Sequence, residues 1–233
     1  MDMYKYLLWD IDGTVLDFLA AEACAMRALF QKYNLGEISE DKIKLYSDIN
    51  LKYWQMLERN ELTKAEILVG RFREFFEIIG ADVSLAENFN RDYQVALGDY
   101  VVFIENAKEI LLSQKGKYTL AAVTNGTKIA QEKKLRLSGL DKIFDGIFIS
   151  DCVGAEKPSK AYFDYVFEKI GVTDKKEVLL IGDSLTSDMK GGAMAGIDTC
   201  WFNPAHKPNT SGVSVTYEID RLGKLEDILS LRG

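Results

Sequence analysis

Apolar residues run almost unbroken from Tyr4 to Trp9 and stop at two aspartates, Asp10 and Asp12. A short continuous run of this kind predicts a strand covered on both faces, as in a parallel sheet. From residue 15 to 105 the apolar spacing becomes helical. Residues 16–33 are alanine-rich, and 41–59 carry Ile43, Tyr46, Ile49, Leu51, Trp54 and Leu57. Thr63 with Glu66 three residues on predicts a capping box that opens a helix ending near Gly80, and 85–97 predicts a fourth helix. The aromatics Trp54, Phe72, Phe75 and Phe76 read as the core of a helical bundle.

Residues 118–124, YTLAAVT, give the next strong strand pattern and end at the turn dipeptide Asn125-Gly126. About a hundred residues separate the two strands, whereas a strand-helix-strand unit needs only about thirty in all. The economical reading is a helical domain, 15–105, inserted after the first strand of an α/β core made of 1–14 and 106–233, with 106–115 as the returning helix. Beyond it the alternation is regular. Helices are expected at 128–137 and 161–170, with a glycine-rich one ending near Ala195; strands are expected at 146–150, 177–182, 199–202 and 215–218. Such alternation predicts a doubly wound, Rossmann-like parallel sheet whose ligand binds at the carboxyl ends of the strands.

Composition narrows the function. Apolar residues make up 47% and charged residues 28% of the 233, as in an ordinary folded globular protein. Lys plus Arg total 29 against 36 acidic residues, and the net charge of −7 argues against sequence-independent binding to long nucleic acid. No apolar run approaches the length of a membrane span and no signal peptide opens the chain, so a cytoplasmic location is expected. Cys24, Cys152 and Cys200 are widely spaced, without a CxxC pattern, and read as small apolar residues rather than disulfides or zinc ligands. His206 is the only histidine and lies in a Pro-containing loop, which leaves little room for a Ser-His-Asp mechanism.

The conspicuous polar residues fall at strand ends. Asp10 and Asp12 follow the first strand, Thr124 and Asn125 the second and Lys157 the third, while Asp183, Ser184 and Asp188 follow the fourth. An Asx turn would explain one of the first two aspartates and Gly13, but not the second aspartate. Crowded carboxylates repel, and burial adds to their cost, so such a site holds a cation or keeps a proton. Hard oxygen ligands suit Mg²⁺, and a lysine with helix N-termini suits an anion. A metal together with a phosphate implies phosphoryl transfer on a small phosphorylated metabolite.

In order, DIDGT, TNG, KP and GDSLTSD resemble the four motifs of the haloacid dehalogenase-like (HAD) superfamily. The resemblance implies a Mg²⁺-dependent phosphomonoester hydrolase. Asp10 would be the nucleophile that becomes an aspartyl phosphate. Asp12 would be the general acid and then base, its backbone carbonyl also ligating Mg²⁺. Thr124 and Asn125 would bind phosphate, and Lys157 would neutralise it and tether the nucleophile. Asp10, Asp12 and Asp183 would supply the metal ligands, with Asp188 behind them orienting Asp183. True dehalogenases of the superfamily lack the second aspartate, so Asp12 favours phosphate chemistry. A sugar-phosphate phosphatase, a phosphomutase and a non-catalytic phosphate-accepting protein remain as alternatives.

The stretches TNGTKIAQEKKLRLSGL and GDSLTSDMKGGAMAGIDTCWFN resemble bacterial pyrimidine 5′-nucleotidases of the superfamily, which implies a nucleoside monophosphate as substrate. Phe18, Tyr46 and Trp54 are candidates to stack on a base, each against the alternative of packing the inserted domain's own core. The segment VVFIENAKEIL departs from the family pattern in lacking the usual Pro-Gly.

Overall fold

Strand β1 sits in the middle of the sheet although it comes first in the chain. The computed structural model describes residues 4–230. In chain order they form β1 (Tyr6–Trp9), α1 (Phe18–Lys32), α2 (Glu40–Glu58), α3 (Lys64–Ile79), α4 (Ala86–Leu97), α5 (Ala107–Gln114), β2 (Thr119–Thr124), α6 (Lys128–Ser138), β3 (Gly146–Ile149), α7 (Ser150–Val153), α8 (Lys160–Ile170), β4 (Val178–Gly182), α9 (Lys190–Ala195), β5 (Asp198–Phe202), β6 (Tyr217–Ile219) and α10 (Leu225–Ser230). The sheet order is β3-β2-β1-β4-β5-β6, and every pair is parallel. The chain winds outward from β1 to β3, then returns to the other side of β1 with β4. That reversal opens a crevice beyond the carboxyl ends of β1 and β4, which is where such sheets bind ligands.

The alternation of side chains along the strands builds two cores. Leu7 and Trp9 of β1, Leu120 and Ala122 of β2, and Leu179 and Ile181 of β4 pack on one face. Leu8, Ala121, Val123, Val178 and Leu180 pack on the other, against Tyr162, Phe163 and Val166 of α8. Burial on both faces explains why these strands read as unbroken apolar runs. This is the expected α/β, Rossmann-like fold.

Helices α1–α4 enclose a third, separate core with Phe30, Tyr46, Phe72, Phe75, Phe76, Phe89 and Tyr93. The Tyr46 and Phe72 rings stack at 4.9 Å. Within this core Glu22 and Arg71 are fully buried, and both bond to Asn50, through its Nδ2 at 2.9 Å and its Oδ1 at 2.6 Å. The capping box expected at Thr63 is present, with Glu66 accepting from the Thr63 backbone N–H at 2.8 Å, and Gly80 ends α3 in a left-handed conformation. The two segments joining these helices to the sheet run side by side: Ile104 N donates to Val15 O at 3.0 Å and Asp17 N to Val102 O at 2.8 Å. Where the Pro-Gly is missing, Asn106 takes the left-handed conformation that starts α5.

Elements match the expected ones to within a few residues, with three differences. Ser150 leaves the strand and opens α7, and the last strand is shifted to β6. The helix α10 was not expected, because six residues are too few to display a helical period. No helix among the described residues is long and apolar enough to cross a membrane.

Candidate active site

β1 delivers Asp10 to the crevice floor, where the peptide N–H still donates to Ile181 O of β4 at 2.9 Å. Its carboxylate is almost fully buried. One oxygen accepts from Lys157 Nζ at 2.7 Å and the other from Thr14 Oγ1 at 3.1 Å. Burial pushes the Asp10 carboxyl up to about 7, against the pull of Lys157 and with the push of Asp188.

Lys157 is the hub. Its ammonium donates to Asp10, to Asp188 Oδ1 at 2.6 Å and to Val123 O at 2.9 Å, so all three protons are used. Burial alone would lower its pKa; the adjoining carboxylates of Asp10 and Asp188 outweigh that and hold it well above the usual range. Asn125 fixes the lysine's backbone from both sides, accepting from Lys157 N and donating to Lys157 O, each at 2.8 Å. The peptide that follows, Lys157–Pro158, is cis. Thr124 ends β2 buried, its hydroxyl accepting from Gly126 N at 3.2 Å.

After β4, Asp183 opens toward the crevice while its backbone carbonyl accepts from Trp201 Nε1 at 2.9 Å. Asp188 is buried at the end of the π-helical turn Leu185–Met189, with one oxygen on Lys157 and the other accepting from Ser184 N at 3.2 Å. Asp10, Asp183 and Asp188 each bring an oxygen within 4.8 Å of the others. The residue Asp183 is exposed on its open side, yet its carboxyl faces the cluster, where desolvation and then the charges of Asp10 and Asp188 drive it well above its ordinary value. Carboxylates crowded in this way fit a small hard divalent cation, which would relieve their repulsion. Gly13 permits the approach: its φ is +92°, and a Cβ there would lie 2.6 Å from Asp183 Oδ2.

Asp12 points elsewhere. Its carboxylate accepts from Lys134 Nζ and from Gln131 Nε2, both at 2.5 Å and both on α6. The side chain therefore diverges from that of Asp10; an extended strand would put residues two apart on one face, but strand β1 ends at Trp9 and the chain turns at Gly13.

Asp10, Lys157, Asp183 and Asp188 are thus brought into direct contact or close approach, while Asn125 braces Lys157. Asp188 stands within the carboxylate cluster rather than behind it. The Asp12 carboxylate is held away from it. Of the aromatic candidates, Tyr46 is consumed by the core of α1–α4, and Phe18 lies at that core's margin with Lys134 Nζ 5.9 Å from its ring centroid. Trp54 stays half-exposed, 5.9 Å from Lys64 Nζ. Lys64 in turn reaches the sheet domain, binding Ser150 Oγ at 2.7 Å and pairing with Asp151. His206 is exposed.

Four residues near the site escaped the sequence reading: Thr14, Gln131, Lys134 and Glu58. Lys134 stands on α6 with Lys128 and Lys133, and unlike them it is almost fully buried. Glu58 carried one faint signal, a carboxylate at the negative end of a helix.

Residues 7–202 match the family described as haloacid dehalogenase-like hydrolase. The HAD-hydrolase YfnB of Bacillus subtilis is 41% identical over all of this chain and 98% of its own. Its magnesium-bound crystal structure, described as revealing interdomain movement, superposes with a TM-score of 0.92 at 39% identity, covering 98% of this chain and 99% of that one. The pyrimidine 5′-nucleotidase PynA of Streptococcus pneumoniae is 35% identical over 97% of this chain and 95% of its own. The pyrimidine 5′-nucleotidase YjjG of Escherichia coli is 28% identical over 97% and 98%.

Proposed function

Because the chain belongs to the haloacid dehalogenase-like hydrolase family, we propose that it hydrolyses the phosphomonoester of pyrimidine nucleoside monophosphates through an aspartyl phosphate on Asp10. It is a phosphatase of that family. The observation that carries the mechanism is the Asp10–Lys157–Asp188 arrangement: a nucleophilic carboxylate fixed by a cation that also meets the incoming phosphoryl charge.

Hydrolases of this family use Mg²⁺, and the donor set here fits it. Asp10 and Asp183 would hold the ion with the Asp12 carbonyl, and Asp188 lies close enough to join them directly or through water. When bound, it supplies charge neutralisation and alignment of the phosphoryl oxygens. Asp10 attacks phosphorus, the bond to the ester oxygen breaks, and that oxygen takes a proton from Asp12. Water then attacks the aspartyl phosphate and gives a proton to Asp12, freeing phosphate and Asp10. For this Asp12 turns from Gln131 and Lys134 toward the leaving group. Thr124 and the Asn125 N–H complete the phosphate cradle.

Residues 15–105 act in this reading as a cap over the leaving group. The resemblance to PynA and YjjG along nearly the whole chain supports a pyrimidine nucleotide, and the half-exposed Trp54 supplies a face on which a base can stack. Phosphate release with Mg²⁺ from pyrimidine nucleotides, purine nucleotides and sugar phosphates at matched concentrations tests this. Preference for pyrimidine monophosphates is expected; preference for sugar phosphates would keep the chemistry and discard the substrate.

A further inference from the structure

Glu58 closes α2, and its position is unfavourable in three ways at once. It places a carboxylate at the negative end of a helix that has no basic residue in its last turn. Its Oε2 is buried with no hydrogen-bond partner among the described residues. Burial pushes the carboxyl up to about 7, opposed by a side-chain hydrogen bond with Thr186 and by the charges of Lys157 and Lys190, and reinforced by Asp188. Of the two cations that act on it, Lys157 is committed to Asp10, Asp188 and Val123 O, and Lys190 acts through charge alone, with no ion pair to Glu58.

The neighbours that act on Glu58 show where its side chain hangs. Thr186 and Asp188 belong to the turn after β4, and Lys157 is the ammonium bound to Asp10. The carboxylate thus descends from the inserted helices onto the catalytic crevice, on the same helical face as Trp54 one turn earlier. It is not one of the three carboxylates clustered for a cation. A dianionic phosphoryl group offers it only repulsion. Thr186 serves the carboxylate once, and Oε2, the oxygen left buried without a donor, calls for another, which in this crevice comes from the substrate beyond the ester oxygen.

We propose that Glu58 is a specificity-determining residue that accepts a hydrogen bond from a hydroxyl of the leaving group, selecting esters of polyhydroxy alcohols such as nucleosides or sugars. This rests on the phosphatase reading of the site and not on the pyrimidine preference. Local conflicts without an internal return are expected at functional positions, and Glu58 is the one such residue on α2 facing the crevice.

The test pairs substrates that differ in hydroxyl groups: thymidine 5′-monophosphate with its 3′-deoxy analogue, and glycerol 3-phosphate with propyl phosphate. Each is assayed with Mg²⁺ on the unmodified protein, Glu58→Leu and Glu58→Gln. The unmodified protein is expected to favour the hydroxylated member of the productive pair by about tenfold or more in kcat/KM, and Glu58→Leu to bring that ratio near one. If Glu58→Leu does not fold, Glu58→Gln decides, and it must still reduce the ratio. An unmodified protein that does not discriminate, or a ratio that survives substitution, overturns the proposal. Turnover of the glycerol pair alone would discard the pyrimidine reading while the ratio still judges Glu58. Release of phosphate from none of the four would overturn both.

Discussion

Lys157 Nζ lies 2.7 Å from Asp10 Oδ1, joining residues 147 positions apart, and the same ammonium holds Asp188 at 2.6 Å. One buried cation therefore bridges two carboxylates that follow different strands, Asp10 after β1 and Asp188 in the turn after β4. Removing it as Lys157→Met leaves Asp10, Asp183 and Asp188 facing one another. Breaking a buried pair from one side costs about 3–5 kcal/mol, so a clear drop in melting temperature is expected without Mg²⁺, smaller with Mg²⁺ present. The loss of charge stabilisation should lower kcat by about 10²-fold or more. Melts with and without Mg²⁺ and steady-state rates check both; a variant with normal kcat would contradict the role assigned to Lys157.

Asp12 is paired with Lys134 and Gln131 rather than with the crevice. If it protonates the departing oxygen, Asp12→Asn should depend on the leaving group. The loss is expected to reach about 10²–10⁴-fold on an alkyl phosphate, whose alkoxide needs the proton, and to be much smaller on p-nitrophenyl phosphate in the first step. Equal losses in phosphoenzyme formation for both esters would remove Asp12 as the acid.

Gly13 lies against Asp183, and its φ of +92° is one that side chains rarely adopt. Gly13→Ala forces the backbone or the Asp183 carboxylate to move. The Mg²⁺ concentration giving half-maximal activity should rise at least about tenfold, a loss of about 1.4 kcal/mol in affinity. A Mg²⁺ titration of activity, with thermal shift as a second readout, checks this; an unchanged midpoint would show that the close approach does not set the metal site.

Burial pushes the Glu58 carboxyl up to about 7. A folded-state pKa above the unfolded value means the native protein binds more protons between those values, so stability falls as pH rises from about 4.5 through about 7. Glu58→Gln removes that contribution, worth up to about 3 kcal/mol at its largest. In Mg²⁺-free buffer the variant should gain stability relative to the unmodified protein as pH is raised from 4.5 toward 8. Parallel melting curves across that range would contradict the burial of this charge.

The strands and the crevice were legible because both carry local patterns. Burial on two faces makes β1, β2 and β4 continuous apolar runs, and the site residues stand at the points where those runs stop. Thr63 and Glu66 likewise announced α3 through a contact three residues long. Relationships across the fold were not legible. The Lys134–Asp12 contact spans 122 positions, and nothing in a lysine-rich stretch distinguishes the lysine that turns inward. Tyr46 could have faced a base or the core, since helical spacing alone does not say which apolar face meets which neighbour; its stacking on Phe72 answers that. Asp188 joins the carboxylate cluster because a π-helical turn, invisible in GDSLTSD, brings it back over Lys157.

The central claim is that Asp10 carries the phosphoryl group. The direct measurement is to mix the protein with Mg²⁺ and its best monophosphate substrate, quench in the steady state, reduce with borohydride and sequence the product by mass spectrometry. An aspartyl phosphate is reduced to homoserine, so homoserine at position 10 is predicted, absent without substrate and absent in Asp10→Asn. Continued phosphate release with no homoserine at position 10, or turnover retained by Asp10→Asn, would contradict the account.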